Sequence, residues 1–560
     1  MTGADAVVEI LEQLGIDVVF GLCGDTSLPL YSSLSGSGSI QHILTRDERG
    51  ASYMADAYAR LSGNVGVCEG PSGGGATYIL PGVAEANDSS VPLVCLTSDI
   101  AVADRGKGTL TELDQKGIFT PITKHSFAPT KAEQLPEMIR NAFRETTTGS
   151  LGACHVSLPF NVQVEDVQAK DVYAEKCFSS YPQDRISPDP EDIARAARLL
   201  ADSRYPVLIA GAGTIRSGAW KEVKSLADVL GAAVASSICG KGAIAETDPH
   251  SLGVIGSNGG RPWRHNLVHK ADLIVYVGSG TGSVTTDKWA LPVPGTTKII
   301  QIDTNCDVIG RNYDVAVGIH ADAQLALAAL IEEISRLGVN GHGDRVDLAE
   351  IEQAKSAHMA EVSDLFESSE WPIRPERLLT ELFNALPERS VIIADPGTPC
   401  PYIACYWQLP EAGRWFVSPR AFGALGYSLP GVVGAYFARP DAGRIVGMMG
   451  DGSFGISMGE METIVRLNLP VTLIVCNNAS YGWIKAGQKS RGDSYFSVDF
   501  ATSDHAAIAR AFGMKARRIE DPNELGDAMR EALTTEGPYL LDVVTQPLEE
   551  ANAPVSKWIA

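Results

Sequence analysis

Two short polar segments near the C-terminal end of the chain could together bind a metal ion and a diphosphate. Gly450-Asp451-Gly452-Ser453 follows the apolar run Arg444–Met448, and Asn477-Asn478 follows the apolar run Val471–Cys476. Such runs are typical of buried parallel strands, whose carboxyl ends lie at one edge of a sheet where ligands bind. We therefore expect the two segments to lie side by side.

The residue types in these segments suit that chemistry. Glycine lets backbone N–H groups approach phosphate oxygens, and a following helix adds partial positive charge. Asp451, Asn478 and a turn carbonyl at Ser480 can supply the hard oxygen ligands that Mg²⁺ prefers. Alone, a Gly-Asp-Gly turn or an Asn-Asn pair is more often an ordinary polar end of a strand, but the two together predict a metal–diphosphate site.

The elements needed to position such a site recur in three blocks of the chain. Short apolar runs that end in Gly, Ser or Asp alternate with runs of helical period, which predicts an α/β fold with three doubly wound parallel-sheet domains. A polar, proline-containing linker separates the first two blocks. The predicted domains are residues 1–165, 190–338 and 372–560, with a helical connector over Leu348–Ser368.

Eleven strands are predicted from these runs. They are Val18–Phe20, Val65–Cys68, Val91–Thr97 and Ala153–Leu158 in the first block, Pro206–Ala210, Leu273–Val277 and Ile299–Ile302 in the second, and Val391–Ala394, Arg444–Met448, Val471–Cys476 and Tyr539–Val544 in the third. The predicted helices include Ala4–Leu14, Glu48–Leu61, Gln134–Thr146, Leu425–Phe437, Met458–Leu467, Asp504–Phe512 and Pro522–Thr534.

The composition argues against several classes of partner. The 560 residues carry a net charge of −22, which disfavours nucleic acid and anionic membrane surfaces. No apolar run approaches the ~20 residues of a membrane span, and the N-terminus lacks the basic segment of a signal peptide. Ten cysteines without Cys-x-x-Cys spacing indicate reduced thiols, and hence a cytoplasmic protein.

The pairing of Gly450-Asp451-Gly452 with Asn477-Asn478 resembles the cofactor motif of the thiamin-diphosphate enzymes that include acetolactate synthase, benzaldehyde lyase and pyruvate decarboxylase. The resemblance covers the whole chain and is greatest to the acetolactate synthase branch, which Pro121–His125 and Gly423–Pro430 resemble. It implies pyrimidine-binding, central and diphosphate-binding domains in that order. It also implies thiamin diphosphate and Mg²⁺ as cofactors, and a homodimer or homotetramer whose site lies between subunits.

The resemblance implies that Glu48 activates the cofactor, because family members carry a glutamate eight residues before the residue that is Asp56 here. A carboxylate that hydrogen-bonds to the pyrimidine N1′ favours the imino tautomer, which removes the proton from C2. Burial would raise the pKa of Glu48 so that it can share a proton. Asp47 departs from the His usual in acetolactate synthases. Alternatively, both acids only stabilise a helix N-terminus.

Further cofactor contacts follow from the same resemblance. The Gly423 carbonyl would accept the cofactor's 4′-amino group, Leu425 would hold the cofactor bent, and Ser453 would bond a phosphate oxygen. The predicted cofactor-binding residues are Gly24, Gly74, Asp395, Gly397, Thr398, Gly423, Leu425, Gly450, Gly452, Ser453, Asn478, Tyr481 and Gly482, and the predicted Mg²⁺ ligands are Asp451, Asn478 and Ser480.

The chain departs from the family where the substrate is expected. Pyruvate decarboxylases carry a His pair and a Glu six residues past the second Asn, whereas this chain has no His between His42 and His125 and has Ile484. The loss of these acids favours carboligation, or its reverse, over simple decarboxylation, although water or Asp99 could donate a proton instead.

Other positions point to an altered substrate pocket. Tyr78 replaces an Asn of the family's Gly-rich loop, and Ser98-Asp99 replaces Gly-Gln. Asp99 is either a solvated acid or a hydrogen-bonding group for substrate, and Trp483 lines the pocket or lies in the core. The sequence leaves the roles of Asp99, Tyr78 and Trp483 open.

The central domain of acetolactate synthases holds FAD. Gly211-Ala212-Gly213 is compatible with a nucleotide, but Gly280-Thr281-Gly282-Ser283 stands in place of an Arg-Phe-Asp-Asp stretch. The loss of a cation and an acid makes FAD the less favoured occupant. ADP, another phosphate bound by Arg216, and no ligand at all are the alternatives.

The predicted function is that of a thiamin-diphosphate- and Mg²⁺-dependent carboligase or lyase. It would make or break a C–C bond next to the ketone of a small-molecule 2-oxo acid or 2-hydroxy ketone. The alternatives are a decarboxylase or C–C hydrolase of a larger oxo compound, and a nucleotide-binding oxidoreductase or non-catalytic binding protein. Donor and acceptor are not determined by the sequence.

Overall fold

The computed structural model describes residues 1–339, 345–551 and 553–558. It contains three six-stranded sheets, and every pairing between neighbouring strands of a sheet is parallel. Helices connect the strands, as parallel pairing requires. The predicted α/β fold with three parallel sheets is therefore confirmed.

The strands fall into three consecutive sets along the chain. The N-terminal sheet contains β1 (Val18–Gly21), β2 (Gln41–Leu44), β3 (Gly66–Gly70), β4 (Leu93–Asp99), β5 (His125–Phe127) and β6 (Ala153–Pro159). The central sheet contains β7 (Pro206–Ala210), β8 (Ala233–Ser236), β9 (Ser251–Val254), β10 (Leu273–Val277), β11 (Lys298–Asp303) and β12 (Val317–His320). The C-terminal sheet contains β13 (Val391–Ala394), β14 (Phe416–Val417), β15 (Ile445–Gly450), β16 (Val471–Asn477), β17 (Lys515–Ile519) and β18 (Tyr539–Val544).

The helices surround these sheets. In the N-terminal third they are α1 (Gly3–Leu14), α2 (Leu28–Gly36), α3 (Glu48–Ser62), α4 (Gly74–Tyr78), α5 (Leu80–Asp88), α6 (Gln115–Phe119), α7 (Leu135–Thr147) and α8 (Phe160–Val164). The central third has α9 (Pro190–Asp202), α10 (Ala212–Ser217), α11 (Trp220–Leu230), α12 (Pro262–Val268) and α13 (Ala323–Arg336), followed by the connector α14 (Leu348–Phe366). The C-terminal third has α15 (Pro375–Ala385), α16 (Pro399–Tyr406), α17 (Ser428–Ala438), α18 (Asp451–Ser457), α19 (Met461–Arg466), α20 (Gly482–Arg491), α21 (His505–Ala511) and α22 (Leu525–Thr534).

The N-terminal and C-terminal sheets have the same strand order. It is β2-β1-β3-β4-β6-β5 in one and β14-β13-β15-β16-β18-β17 in the other. The central sheet instead has the order β12-β11-β10-β7-β8-β9, which is the doubly wound order of dinucleotide-binding domains. Open sheets of this kind bind ligands where the strand order reverses, so each sheet offers one such crevice.

The eleven predicted strands all exist, with ends within two residues of the prediction. The seven strands that the sequence analysis missed include all six edge strands, together with β8. An edge strand is covered on fewer sides than an inner one, so its sequence need not be a continuous apolar run. The burial of β2, in which only Ile43 is fully buried, illustrates this.

Three predicted helices begin three residues later than expected, and one of them, predicted over Pro522–Thr534, starts at Leu525. The helix predicted over Leu425–Phe437 starts at Ser428, because Gly426 adopts a φ of +83° that ends any helix preceding it. The helix predicted over Met458–Leu467 starts at Met461, after a 3₁₀ turn, and α18 precedes it unpredicted. None of the helices in the described ranges combines the length and apolarity needed to cross a membrane.

The N-terminal and C-terminal domains share one hydrophobic core, in which α3 packs against α17. Gly434 makes this contact possible, since a Cβ there would collide with the Met54 carbonyl oxygen of α3. The rings of Tyr53 and Tyr427 lie 5.1 Å apart in the same interface. Helix α3, which begins at Glu48, is therefore fixed by the domain that carries the Asp451 segment.

A buried carboxyl group also joins the two domains. Glu460 Oε1 accepts hydrogen bonds from the backbone N–H groups of Arg46 (2.9 Å) and Asp47 (3.1 Å), directly before α3. Its other oxygen accepts from the Thr463 hydroxyl at 2.6 Å. Burial raises the pKa of Glu460 to about 7, although these hydrogen bonds oppose the shift.

This raised pKa predicts a pH-dependent contribution to stability. Between about pH 5 and pH 7 the unfolded chain loses the Glu460 proton while the folded protein retains it, so stability is lost as the pH rises. Glu460→Gln removes the titrating group and keeps a side-chain acceptor for the backbone. We expect the melting temperature of the variant, relative to that of the wild type, to rise by a few degrees between pH 5 and pH 8, corresponding to roughly 1–3 kcal/mol.

The matched control is Glu462→Gln, which changes an exposed carboxylate two residues away. Its melting temperature should follow that of the wild type across the same range. A constant difference between Glu460→Gln and the wild type at every pH would contradict the prediction.

Candidate functional site

A cavity of about 310 Å³ opens at the carboxyl edge of the C-terminal sheet, where the strand order reverses between β13 and β15. Most of the residues that the sequence predicted for the cofactor and metal line it. These are Gly397, Thr398, Gly423, Leu425, Gly450, Asp451, Gly452, Ser453, Asn478, Ser480, Tyr481 and Gly482. The structure thus brings together two predicted segments that lie on neighbouring strands, β15 and β16.

Asp451 ties the ends of these two strands together. It is the first residue of α18, and its Oδ2 accepts hydrogen bonds from the backbone N–H groups of Asn478 (3.0 Å) and Ala479 (2.6 Å). Its Oδ1 accepts from the Gly452 N–H at 2.8 Å. Burial raises the pKa of Asp451 to about 6, against the effect of these three donors.

Further oxygen donors lie beside Asp451. The Asn478 side-chain oxygen accepts from both the backbone N–H (3.3 Å) and the hydroxyl (3.2 Å) of Ser480. One carboxylate, one carboxamide and one hydroxyl therefore lie within the same pair of strand ends, and such hard oxygens suit Mg²⁺. The described part of the chain contains no cluster of three or more His, Cys, Asp and Glu side chains suited to a metal, so this site would rely on amide and hydroxyl oxygens beside its one carboxylate.

The glycines of the cavity expose backbone to its interior. A Cβ added at Gly397, Gly423 or Gly450 would meet no atom within 4 Å, so these positions face open space. At Gly452, by contrast, a Cβ would lie 2.7 Å from the Tyr481 ring. Exposed backbone beside a set of oxygen ligands fits a group that combines a diphosphate with a metal ion.

Asp395, although predicted to bind the cofactor, does not line the cavity. It is fully buried beneath the cavity wall, where it accepts hydrogen bonds from the backbone N–H groups of Gly426 (3.0 Å) and Ser428 (2.6 Å) and from the Ser428 hydroxyl (2.8 Å). The Ser453 hydroxyl also accepts from the Gly426 N–H, at 3.3 Å. Asp395 thus holds the segment that contains Gly423 and Leu425.

The predicted residues of the N-terminal domain lie elsewhere. Glu48, Gly24 and Gly74 are not among the residues that line the cavity. Glu48 begins α3 beside the loop after β3: a Cβ added at Gly75 would lie 2.9 Å from its Oε1, and one at Gly70 would lie 3.3 Å from its Cγ.

The environment of Glu48 favours the neutral form of its carboxyl group more than water does. The side chain of Glu48 is buried, and burial raises its pKa, with a further contribution from Asp47 and Glu69. A Cβ at Gly24 would collide with Pro71, so β1, β3 and α3 converge where the N-terminal strand order reverses. The two predicted halves of the site therefore lie at equivalent crevices of two different sheets, and Glu48 does not line the cavity that contains Asp451.

Several cavity residues were not predicted. Pro396 and Arg420 come from loops of the C-terminal domain, Ser257, Asn258 and Val284 come from the central domain, and Lys557 comes from the C-terminal tail. They belong to no local motif, because only the packing of distant segments places them there. The proximity of Asp395 to Gly426 likewise had no signal in the sequence.

The structure also places the three residues whose roles were left open. Trp483 lines the cavity, next to Ile484, and its ring lies 5.1 Å from that of Trp558. Asp99 is buried and pairs with Arg105 at 3.0 Å, so it is not a solvated acid. Tyr78 is 62% exposed on the N-terminal domain.

The central domain borders a second, larger cavity of about 700 Å³. It lies at the carboxyl ends of β7 and β10, where that sheet reverses its strand order, and includes Gly211, Gly278 and Gly280. Its lining has four arginines, Arg60, Arg216, Arg311 and Arg420, and two carboxylates, Asp88 and Asp303. The arginines come from all three domains. The uncharged loop Gly280–Ser283, which follows β10, therefore does not by itself set the charge of this cavity.

Comparison with known proteins agrees with this arrangement. Residues 1–118, 193–330 and 395–543 match, respectively, the N-terminal binding domain, the central domain and the C-terminal binding domain of thiamine pyrophosphate enzymes. A "Probable acetolactate synthase large subunit" of Methanococcus aeolicus is 33% identical over 98% of this chain and 92% of its own. The acetolactate synthase large subunit of Haemophilus influenzae and isozyme 3 of Escherichia coli are each 29% identical over 95% of this chain and 92% of theirs.

Three observations thus agree: the strand order repeated in the outer domains, the Asp451–Asn478 pair in a glycine-lined cavity, and relatives that match from end to end. The chain belongs to the family of thiamin-diphosphate enzymes.

Proposed function

We propose that this protein is a thiamin-diphosphate- and Mg²⁺-dependent carboligase or lyase, which makes or breaks a C–C bond next to the ketone of a 2-oxo acid or 2-hydroxy ketone. The observation that carries the proposal is the cavity that unites Asp451, Asn478 and Ser480 with exposed glycine backbone. Full-length relatives named acetolactate synthase support the carboligase class.

Asp451, Asn478 and Ser480 would hold Mg²⁺, and the backbone around Gly450 and Gly452 would bind the diphosphate. When bound, the cofactor supplies a nucleophilic carbon that adds to the ketone carbonyl of the substrate. The Gly423 carbonyl would accept a hydrogen bond from the 4′-amino group of the cofactor, and the Leu425 side chain would hold the cofactor in a bent shape. Trp483 and Ile484 form an apolar part of the wall, which would exclude water from the reacting atoms.

Glu48 would hold a proton against the pyrimidine nitrogen, a role that its burial and raised pKa support. Since Glu48 and Asp451 lie in different crevices of one chain, we infer that each complete site combines Glu48 of one subunit with Asp451 of another. Exposed apolar side chains beside both crevices support this homodimer or homotetramer: Leu28, Tyr78 and Leu110 on the N-terminal domain, and Phe422, Tyr481 and Ile484 on the C-terminal domain.

The wall of the cavity favours carboligation over simple decarboxylation. Ile484 occupies the position at which decarboxylases of the family have a glutamate, and it is exposed to the cavity. An apolar wall there offers no acid to protonate the bound fragment, so the fragment remains available to a second carbonyl compound.

The central cavity would bind a phosphate-containing ligand other than FAD. The loop Gly280–Ser283 brings no charged side chain, which keeps FAD the less favoured ligand, whereas Arg216 and Arg311 suit a phosphate. The absorption spectrum of the purified protein distinguishes a flavin from a nucleotide without one. All ten cysteines are unpaired, which is compatible with a reducing compartment such as the cytoplasm.

The first prediction from the proposed function concerns the reaction and Glu48. With thiamin diphosphate, Mg²⁺ and pyruvate, with and without an aldehyde, we expect NMR to detect acetolactate or another acyloin. Glu48→Gln should bind the cofactor, but its turnover rate should fall about 10²–10⁴-fold, because the amide cannot share a proton with the pyrimidine nitrogen as a carboxyl group does. Release of acetaldehyde alone would indicate a decarboxylase. Absence of turnover with cofactor bound would exclude pyruvate and point to larger oxo compounds.

The second prediction concerns the metal. Asp451→Ala removes the only carboxylate among the predicted ligands and the acceptor of three backbone N–H groups. We expect Mg²⁺-dependent quenching of tryptophan fluorescence by thiamin diphosphate to be lost, with Trp483 as the reporter at the cavity wall. Glu462→Gln is the control, and unchanged Mg²⁺-dependent binding by Asp451→Ala would refute the metal assignment.

The third prediction tests the shared site. Glu48→Gln and Asp451→Ala should each be inactive alone, but co-expression should restore about one quarter of wild-type activity, because random pairing makes half of the dimers hybrids with one intact site each. A site built within one chain would instead give no recovery. Co-expression of Glu48→Gln with itself is the control.

A further inference from the structure

The segment that carries Gly423 and Leu425 is held by a carboxylate of the N-terminal domain. Glu85 of α5 is fully buried, and its two oxygens face three consecutive backbone N–H groups. Oε1 accepts from Arg420 (3.1 Å) and Ala421 (3.3 Å), and Oε2 accepts from Phe422 (2.9 Å). The last of these amides belongs to the residue directly before Gly423.

The same carboxylate is neutralised within its own domain. Arg60 donates to Glu85 Oε1 at 3.1 Å and to Asp56 Oδ2 at 2.7 Å, and the Ser89 hydroxyl donates to Glu85 Oε1 at 2.8 Å. A buried carboxylate is costly unless it is paired and hydrogen-bonded, and Glu85 meets both conditions. Its rigid position therefore does not depend on a ligand.

The other end of the segment is held as well. The Tyr427 hydroxyl donates to Asp56 of α3, while the N–H groups of Gly426 and Ser428 donate to Asp395. Buried carboxylates thus fix the backbone on both sides of residues 423–425, and φ values of +64° at Gly423 and +83° at Gly426 define the turn between them. Gly423 and Leu425 line the cavity from this turn.

We propose that Glu85 is a positioning residue for the thiamin-binding segment: by binding the amides of residues 420–422, it sets where the Gly423 carbonyl and the Leu425 side chain enter the cavity. The inference rests on the proposed function, in which these two residues contact the cofactor. Glu85 itself touches neither the cavity nor the metal ligands. It acts only through the backbone that it holds.

The charge and both oxygens of Glu85 are needed for this role. In Glu85→Gln, one accepting oxygen becomes an NH₂ group, which would face an N–H donor of the segment and leave a buried donor unpaired. The segment should then move by a fraction of an ångström or more. Misplacement of a positioning group by about 1 Å can cost about 10²-fold in rate.

Two measurements separate this role from general stability. Hydrogen–deuterium exchange of peptides covering residues 416–428, made on the cofactor-free protein, reports whether the amides of 420–422 are released. Exchange of the C2 proton of bound thiamin diphosphate, followed by NMR without any substrate, reports cofactor activation. We expect Glu85→Gln to exchange these amides faster and the C2 proton roughly 10-fold or more slower, with a smaller change in the dissociation constant of the cofactor.

Two further variants serve as controls for Glu85→Gln. Glu376→Gln changes another fully buried glutamate, in α15 and away from the segment, and should leave both exchange rates unchanged. Glu85→Asp keeps the charge partner of Arg60 but withdraws the oxygens by one methylene, so its rates should lie between those of Glu85→Gln and the wild type. This variant also serves if Glu85→Gln does not fold.

The outcomes are distinct. Unchanged amide exchange in Glu85→Gln, or released amides with a wild-type rate of C2 exchange, would overturn the proposal. Failure of the wild type to bind thiamin diphosphate would overturn the proposed function instead, and the amide exchange would still show whether Glu85 holds the segment.

Discussion

The contact between α3 and α17 is the constraint on which the candidate site depends. Helix α3 begins with Glu48 at one crevice, and α17 follows the turn that carries Gly423 and Leu425 at the other. The two helices approach closely because Gly434 has no side chain to meet the backbone of α3. Any shift of one helix would therefore move groups in both predicted halves of the site.

Buried carboxylates stabilise the polar parts of this interface. Glu85, Asp395 and Glu460 each accept backbone N–H groups of loops that no helix or strand satisfies. An unpaired backbone donor in a protein interior costs about 1–3 kcal/mol, so each carboxylate prevents several such penalties at once. These side chains are acidic and buried, as a catalytic group would be, yet they act on the backbone.

The local signals of the sequence predicted much of the fold and part of the site. Continuous apolar runs identified inner strands such as Val471–Asn477, and the Asp451 and Asn478 segments were expected to meet because both follow neighbouring strands. The edge strands were missed, since burial on fewer sides leaves no such run. Asp395 was predicted to bind the cofactor from its place after β13, but its side chain points beneath the wall, which only packing decides.

The sequence by itself determined the α/β class, the three parallel sheets, the strand ends that carry Asp451 and Asn478, and the family. These features follow from periodicity and from short motifs, which depend on residues close together in the chain. Only the tertiary structure decided that Asp395 lies beneath the cavity wall, that arginines of three domains line the central cavity, and that Glu85 holds residues 420–422. Those relations join residues hundreds of positions apart, and the energy that selects them comes from burying and pairing polar groups in one packed interior, which no local pattern records.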